Sequence, residues 1–170
     1  ALFFDAMVIG DGEPVVPHLM DAWLAWKKGG GRDRTELLKA WAAIEGVYVP
    51  AFFEAGVDAS GRQQTRPLLT GHAKVRRAVV PDLDHAGFPE KPVIPFGKPV
   101  HDRLRLEIAR GCTRGCRFCQ AGMIYRPVRE RSLGNLARLA QNSLSATGYE
   151  DISLLSLSTG DYSCLTPLMR

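Results

Sequence analysis

Cys112, Cys116 and Cys119 fall within eight residues at the spacing C-x3-C-x2-C. Thiols this close form a ligand set for a soft metal or a cluster, with the thiolate as the donor. Three such ligands leave one coordination position unfilled. A cluster that only carries electrons is usually held by four cysteines. Three therefore point to an iron–sulfur cluster with one iron open to a substrate or cofactor. Zinc is the alternative metal. A structural zinc site takes four ligands, commonly in paired C-x2–4-C or H-x3–5-H groups. The remaining cysteine, Cys164, lies 45 residues beyond Cys119 without a cysteine or histidine beside it, and His101 precedes an expected strand. A disulfide framework would need a short secreted chain with far more cysteine.

The flanking patterns predict the elements that position this loop. Leu104 to Ala109 alternates apolar and charged residues, as a strand does, and runs straight into the cysteines. Gly111 and Gly115 free the backbone to wrap a bound group. Ser132 is a good N-cap for a helix with Leu133, Leu136, Ala137, Ala140 and Leu144 on one face, and Gly148 stands at its end. Asp151–Leu157 reads as a second strand, followed by the polar loop Ser158–Ser163 and a further helix. Strand, cysteine loop, helix, strand and polar loop form the opening of an α/β barrel, in which sites lie on the loops after the strands.

Upstream, residues 3–10 read as a buried strand ending in Gly10. A helix follows, with Val15, Val16, Leu19, Ala22, Trp23 and Trp26 at helical spacing and Gly29–Gly31 as its stop. Residues 1–28 are thus one βα unit. Residues 34–45 form a second helix with Leu37, Leu38, Trp41, Ala42 and Ile44 as its stripe. Short strands are expected at 47–50 and 75–80, around a polar turn at 58–62. Prolines 81, 89, 92, 95 and 99 punctuate an extended connector. The expected class is α/β in three parts: 1–28, a linker with a small β element over 29–100, and barrel units over 101–170. His72, His85 and His101 read as solvated or hydrogen-bonded residues.

The chain has 170 residues, 45% hydrophobic and 24% charged, with a net charge of +4. This composition is globular, and no apolar run approaches the roughly 18 residues of a membrane helix. The opening residues carry no targeting signal, so a cytoplasmic location is expected. Arg110, Arg114, Arg117, Arg126, Arg129 and Arg131 surround the cysteines. Such a shell offsets thiolate charge and suits an anionic cofactor or substrate. RNA is one such anion, although the aromatic interleaving of single-strand binders is thin.

The stretch from Glu107 through Cys112, Cys116 and Cys119 to Ser132 resembles the cluster loop of the radical S-adenosylmethionine (SAM) enzymes. Within that superfamily it resembles a subgroup with an N-terminal cobalamin-binding-like domain. The likeness is good over about 93–163. The run Val8–Pro14 more loosely resembles the closing βα unit of that Rossmann-like domain. The resemblance implies a [4Fe-4S] cluster on Cys112, Cys116 and Cys119, with SAM on the open iron. Phe118 would lie near adenine. Thr159-Gly160-Asp161 stands where the superfamily often has Gly-Gly-Glu, which makes Gly160 and Asp161 candidates for the SAM amino group. Arg126, Arg129 and Glu130 either pair with one another or hold the SAM carboxylate.

The implied reaction is reductive cleavage of SAM, driven by an external one-electron reductant. It gives methionine and a 5′-deoxyadenosyl radical that abstracts hydrogen from a substrate. Cobalamin in the full-length protein is left open. The competing class is a zinc- or cluster-binding module that binds nucleic acid or carries electrons. Only 58 residues follow Cys112, whereas a full α/β barrel takes about 250. The chain is therefore expected to be an internal piece: the tail of one domain, a linker and the start of a truncated barrel.

Overall fold

A computed structural model describes residues 3–97 and 99–170. Ala1 and Leu2, the first residues of the expected 1–28 unit, and Lys98 of the connector lie outside the described residues. Contacts divide the chain into two compact units, Ala1–Val80 and Pro81–Arg170. This boundary differs from the expected divisions at 28/29 and 100/101.

In the first unit, β1 (Met7–Val8) pairs antiparallel with β2 (Val47–Tyr48). The strand expected over 3–10 is reduced to these two residues, and Phe3 and Phe4 are exposed. Helix α1 (Val16–Lys28) has Pro17 in its first turn, where the missing N–H costs nothing. Of its expected stripe, Leu19, Ala22, Trp23 and Trp26 are half-buried and Val16 is exposed. Helix α2 (Arg34–Ala42) begins at Asp33, whose carboxylate accepts the Thr35 N–H.

Residues 29–80 join α1 because Val47, Val49 and Ala78 close one apolar cluster with Val15, against which Leu19, Leu38 and Trp41 pack. The Trp41 indole donates to the Leu19 carbonyl at 3.1 Å. The strand expected over 75–80 is a single bridge between Gly10 and Ala78. Gly10 has φ +112°, and a Cβ there would lie 2.0 Å from the Ala78 oxygen, so only glycine permits this approach. The polar turn at 58–62 joins β3 (Phe53–Val57) and β4 (Gln63–Pro67), an antiparallel hairpin.

In the second unit, β5 (Leu104–Glu107) pairs parallel with β8 (Ile152–Leu155), in the register Leu104–Ile152 to Glu107–Leu155. Between them the chain forms β6 (Ala109–Arg110), the cysteine loop, the short α3 (Ala121–Ile124), β7 (Arg129–Glu130) and α4 (Leu133–Thr147). Strands β6 and β7 pair antiparallel, so the cysteine segment is an excursion that returns beside its own start. The Ser132 hydroxyl caps α4 by accepting the Asn135 N–H at 3.2 Å. The buried face of α4 is Leu136, Leu139 and Ser143; Ala137, expected on that face, is exposed, and Leu139 takes its place.

Leu106, Ile108, Leu136, Leu139 and Tyr162 form the core of this unit. Helix α5 (Leu165–Leu168) follows and packs Leu165 and Leu168 against it. Within the described residues the fold is mixed α/β with two-stranded sheets and no closed barrel. No helix among them is long and apolar enough to cross a membrane.

Candidate metal and cofactor site

Two parallel strands that end side by side deliver two loops to one end of their sheet. β5 leads into the cysteine loop, and β8 leads into Ser158–Asp161. Gly111 makes the entry possible. Its φ is +87°, and a Cβ there would stand 2.7 Å from both the Tyr125 and Pro127 carbonyl oxygens. The outgoing and returning limbs therefore touch backbone to backbone at this point.

All four cysteines are free thiols; Cys112 and Cys119 are half-buried and Cys116 is exposed. The Arg114 N–H donates to Cys112 Sγ and the Gly122 N–H to Cys119 Sγ, each at 3.4 Å. Hydrogen bonds to cysteine sulfur are one of the means by which a protein tunes a bound iron–sulfur cluster. Gly122 forms the floor between these two cysteines: a Cβ added there would lie 3.8 Å from Cys119 Sγ and 4.0 Å from Cys112 Cβ. The Cys119 N–H donates to the Cys116 carbonyl at 3.0 Å, which turns the loop between the last two thiols.

The donor chemistry fits a soft metal or cluster. The sulfurs are not gathered into a finished site: among the described residues no three His, Cys, Asp or Glu side chains are placed to hold a metal.

The other sequence-predicted residues are placed as follows. Phe118 is 92% exposed, so it is a surface ring on the loop and not a core aromatic. Arg126 Nε donates to the Gly122 carbonyl at 3.0 Å, and its guanidinium passes beside Gly115. Thr113, Arg126, Pro127 and Val128 line an open, largely apolar depression beside the cysteines. Gly160 and Asp161 form a short 3-10 turn, Thr159–Asp161. Arg129 is buried and donates to the Pro127 carbonyl at 3.2 Å. Glu130 accepts from the Ser163 N–H at 3.0 Å and from its hydroxyl.

The arginine shell is partly matched by carboxylates. Arg110 makes a two-pronged pair with Glu107, at 2.8 and 2.9 Å. Arg114 grips both oxygens of Asp161, with Nε 2.6 Å from Oδ2. This grip, with the Ser158 hydroxyl, holds the Asp161 carboxyl at about 2, well below its ordinary 3.8. Sequence reasoning missed the pairing of Arg114 with Asp161. The one available signal was the opposite charge of two residues on adjacent loops.

Residues 1–50 match the family described as radical SAM proteins, N-terminal. An uncharacterized protein of Methanocaldococcus jannaschii, MJ0966, is 43% identical over 63 residues. That match covers 37% of this chain and 14% of the relative, so the chain spans a small part of that protein's length. No solved structure matches the chain. The match at residues 1–50 supports a place for this chain among the radical SAM proteins, a class that in general uses SAM, an iron–sulfur cluster and a reductant.

Proposed function

We propose that the full-length protein is a radical SAM enzyme in which Cys112, Cys116 and Cys119 hold a [4Fe-4S] cluster. The observation that carries the reading is the tie between two loops at one sheet end. The cysteine loop after β5 and the Thr159–Asp161 turn after β8 are joined through Arg114 and Asp161. When bound, such a cluster would pass one electron to the sulfonium of SAM and so initiate radical chemistry, which is the cofactor's own work.

This chain's residues bind and orient. Phe118 offers an exposed aromatic face for adenine. Asp161, ionised near neutral pH, offers the SAM ammonium the acceptor capacity that Arg114 and Ser158 leave on its carboxylate, and Gly160 keeps its approach open. Arg126, anchored on the Gly122 carbonyl, borders the depression beside the loop and offers a cation for the SAM carboxylate. Residues 1–28, within the matched stretch, we assign to the closing unit of a cobalamin-binding-like domain, and 101–170 to the first units of a radical SAM barrel; no residue here is assigned to cobalamin. Four free thiols suit a reducing compartment, so we place the protein in the cytoplasm.

Anaerobic reconstitution of the full-length protein with iron and sulfide tests the reading. It should give a brown protein with visible iron–sulfur absorbance and, with dithionite and SAM, release 5′-deoxyadenosine. Uptake of zinc by the same thiols, without iron–sulfur absorbance, would overturn it in favour of a zinc module.

Phe118→Ala should weaken SAM binding about fivefold, the scale of an aromatic contact. Its iron content should stay at the wild-type level, because the ring is exposed and supports no core. SAM titration beside iron analysis checks both halves, and unchanged affinity would move adenine recognition to other residues.

A further inference from the structure

We infer that Arg114 is a positioning residue that latches the cysteine loop to the loop after β8 through the Asp161 carboxylate. The inference rests on the reading of Cys112, Cys116 and Cys119 as cluster ligands. Arg114 lies between the first two of them, so fixing its side chain restrains the middle of the ligand run. Its planar fork meets Asp161 with two bonds, a geometry that fixes direction as well as distance. The carboxylate is itself held, because the Ser158 hydroxyl donates to Oδ2 at 2.6 Å.

The residues next to Asp161 continue the clasp. The Tyr162 hydroxyl donates to the Arg131 carbonyl at 2.8 Å. The Ser163 N–H donates to Glu130 at 3.0 Å. Three successive residues thus hold both limbs of the excursion: Asp161 the ligand-bearing limb, Tyr162 and Ser163 the returning one. Without Arg114 the returning limb keeps its bonds, while the ligand-bearing limb loses its tie across the sheet end.

The Arg114 side chain is 63% exposed and that of Asp161 31%. Exposed pairs add little to global stability. The effect should therefore be local, and this separates a latch from a structural support.

Amide exchange on the metal-free full-length protein gives the first test. Arg114→Ala and Asp161→Asn should each speed exchange across 112–119 and leave α4 and the melting temperature unchanged. Arg114→Lys should restore protection in part, since an ammonium pairs as a point charge without the fork. The swap of Arg114→Asp with Asp161→Arg should recover more than either single change.

The second test is the rate at which reconstituted protein loses iron to a chelator. Either single variant should lose it about two- to fivefold faster, the range an exposed pair can carry. The Arg114→Ala/Asp161→Asn double variant should be no worse than either alone. Additive effects, or exchange at 112–119 equal to wild type in both singles, would overturn the latch. If the wild-type protein takes up no iron, the cluster reading fails, and the exchange result alone decides whether the latch exists.

Discussion

Replacing Cys112, Cys116 or Cys119 by Ala in the full-length protein should abolish cluster loading, while Cys164→Ala should leave iron near the wild-type level. The four thiols differ in surroundings. Cys164 packs against the second unit's core beside Leu165, with the Ser163 hydroxyl 3.7 Å from its sulfur. It behaves as a small apolar residue there. The other three share one loop, and two of them share the Gly122 floor. Even outer residues that only orient a ligand change metal affinity about 10- to 100-fold. Loss of a ligand itself should cost at least that much. Cys116→Ala is the cleanest variant, because its side chain is exposed and no core depends on it. Iron and sulfide analysis with visible absorbance after reconstitution reads the result. If Cys164→Ala alone strips the iron, the argument for three ligands and an open iron collapses.

Local signals were legible in the sequence, and distant ones were not. Ser132 and Gly148 bracketed α4 correctly because a cap is a matter of a few adjacent residues. The alternation at Leu104–Glu107 gave β5, with Leu104 and Leu106 buried and Arg105 exposed. The hairpin of β3 and β4 was not read, although its turn was. All of β4, Gln63–Pro67, is exposed, so no alternating apolar face marks it, and backbone pairing with β3 defines it instead. The strand expected over 3–10 shrank because ladder pairing is confined to Met7 and Val8, and Gly10 makes only a single bridge to Ala78. In the candidate site, spacing singled out the three cysteines. Arg114 and Asp161 are 47 residues apart, and Arg131 and the Leu83 carbonyl are 48 apart. No periodicity links such pairs; the parallel strand pairing and the packing of the 83–88 segment bring them together.

The same distance argument yields the largest stability effect expected in this chain. Arg131 is 2% exposed and stands at the junction of several elements of the second unit. Its guanidinium donates to the Leu83 carbonyl and lies 3.3 Å from Asn135 Oδ1 and 5.7 Å from the centre of the Phe88 ring. Its backbone N–H donates to Ile108 at 2.9 Å, and its carbonyl takes the Tyr162 hydroxyl. Glu107 is 3.9 Å from its Nη2, too far for a good hydrogen bond, and Glu107 is already held by Arg110 at 2.8 Å. The carbonyl bond and the packing of the stem should therefore outweigh the ion pair. Arg131→Met keeps most of the stem and leaves the Leu83 carbonyl without this donor, which costs about 1–3 kcal/mol. Arg131→Ala also removes the packing of the stem and should cost more, about 2–5 kcal/mol, the range of large-to-small changes in a core. Trp23, Trp26 and Trp41 all lie in the first unit, so tryptophan emission follows that unit while amide exchange in α4 follows the second. Exchange in α4 should accelerate far more in Arg131→Ala than in Arg131→Met. If Glu107→Gln costs more than Arg131→Met, the ion pair and not the carbonyl is the main restraint on this residue.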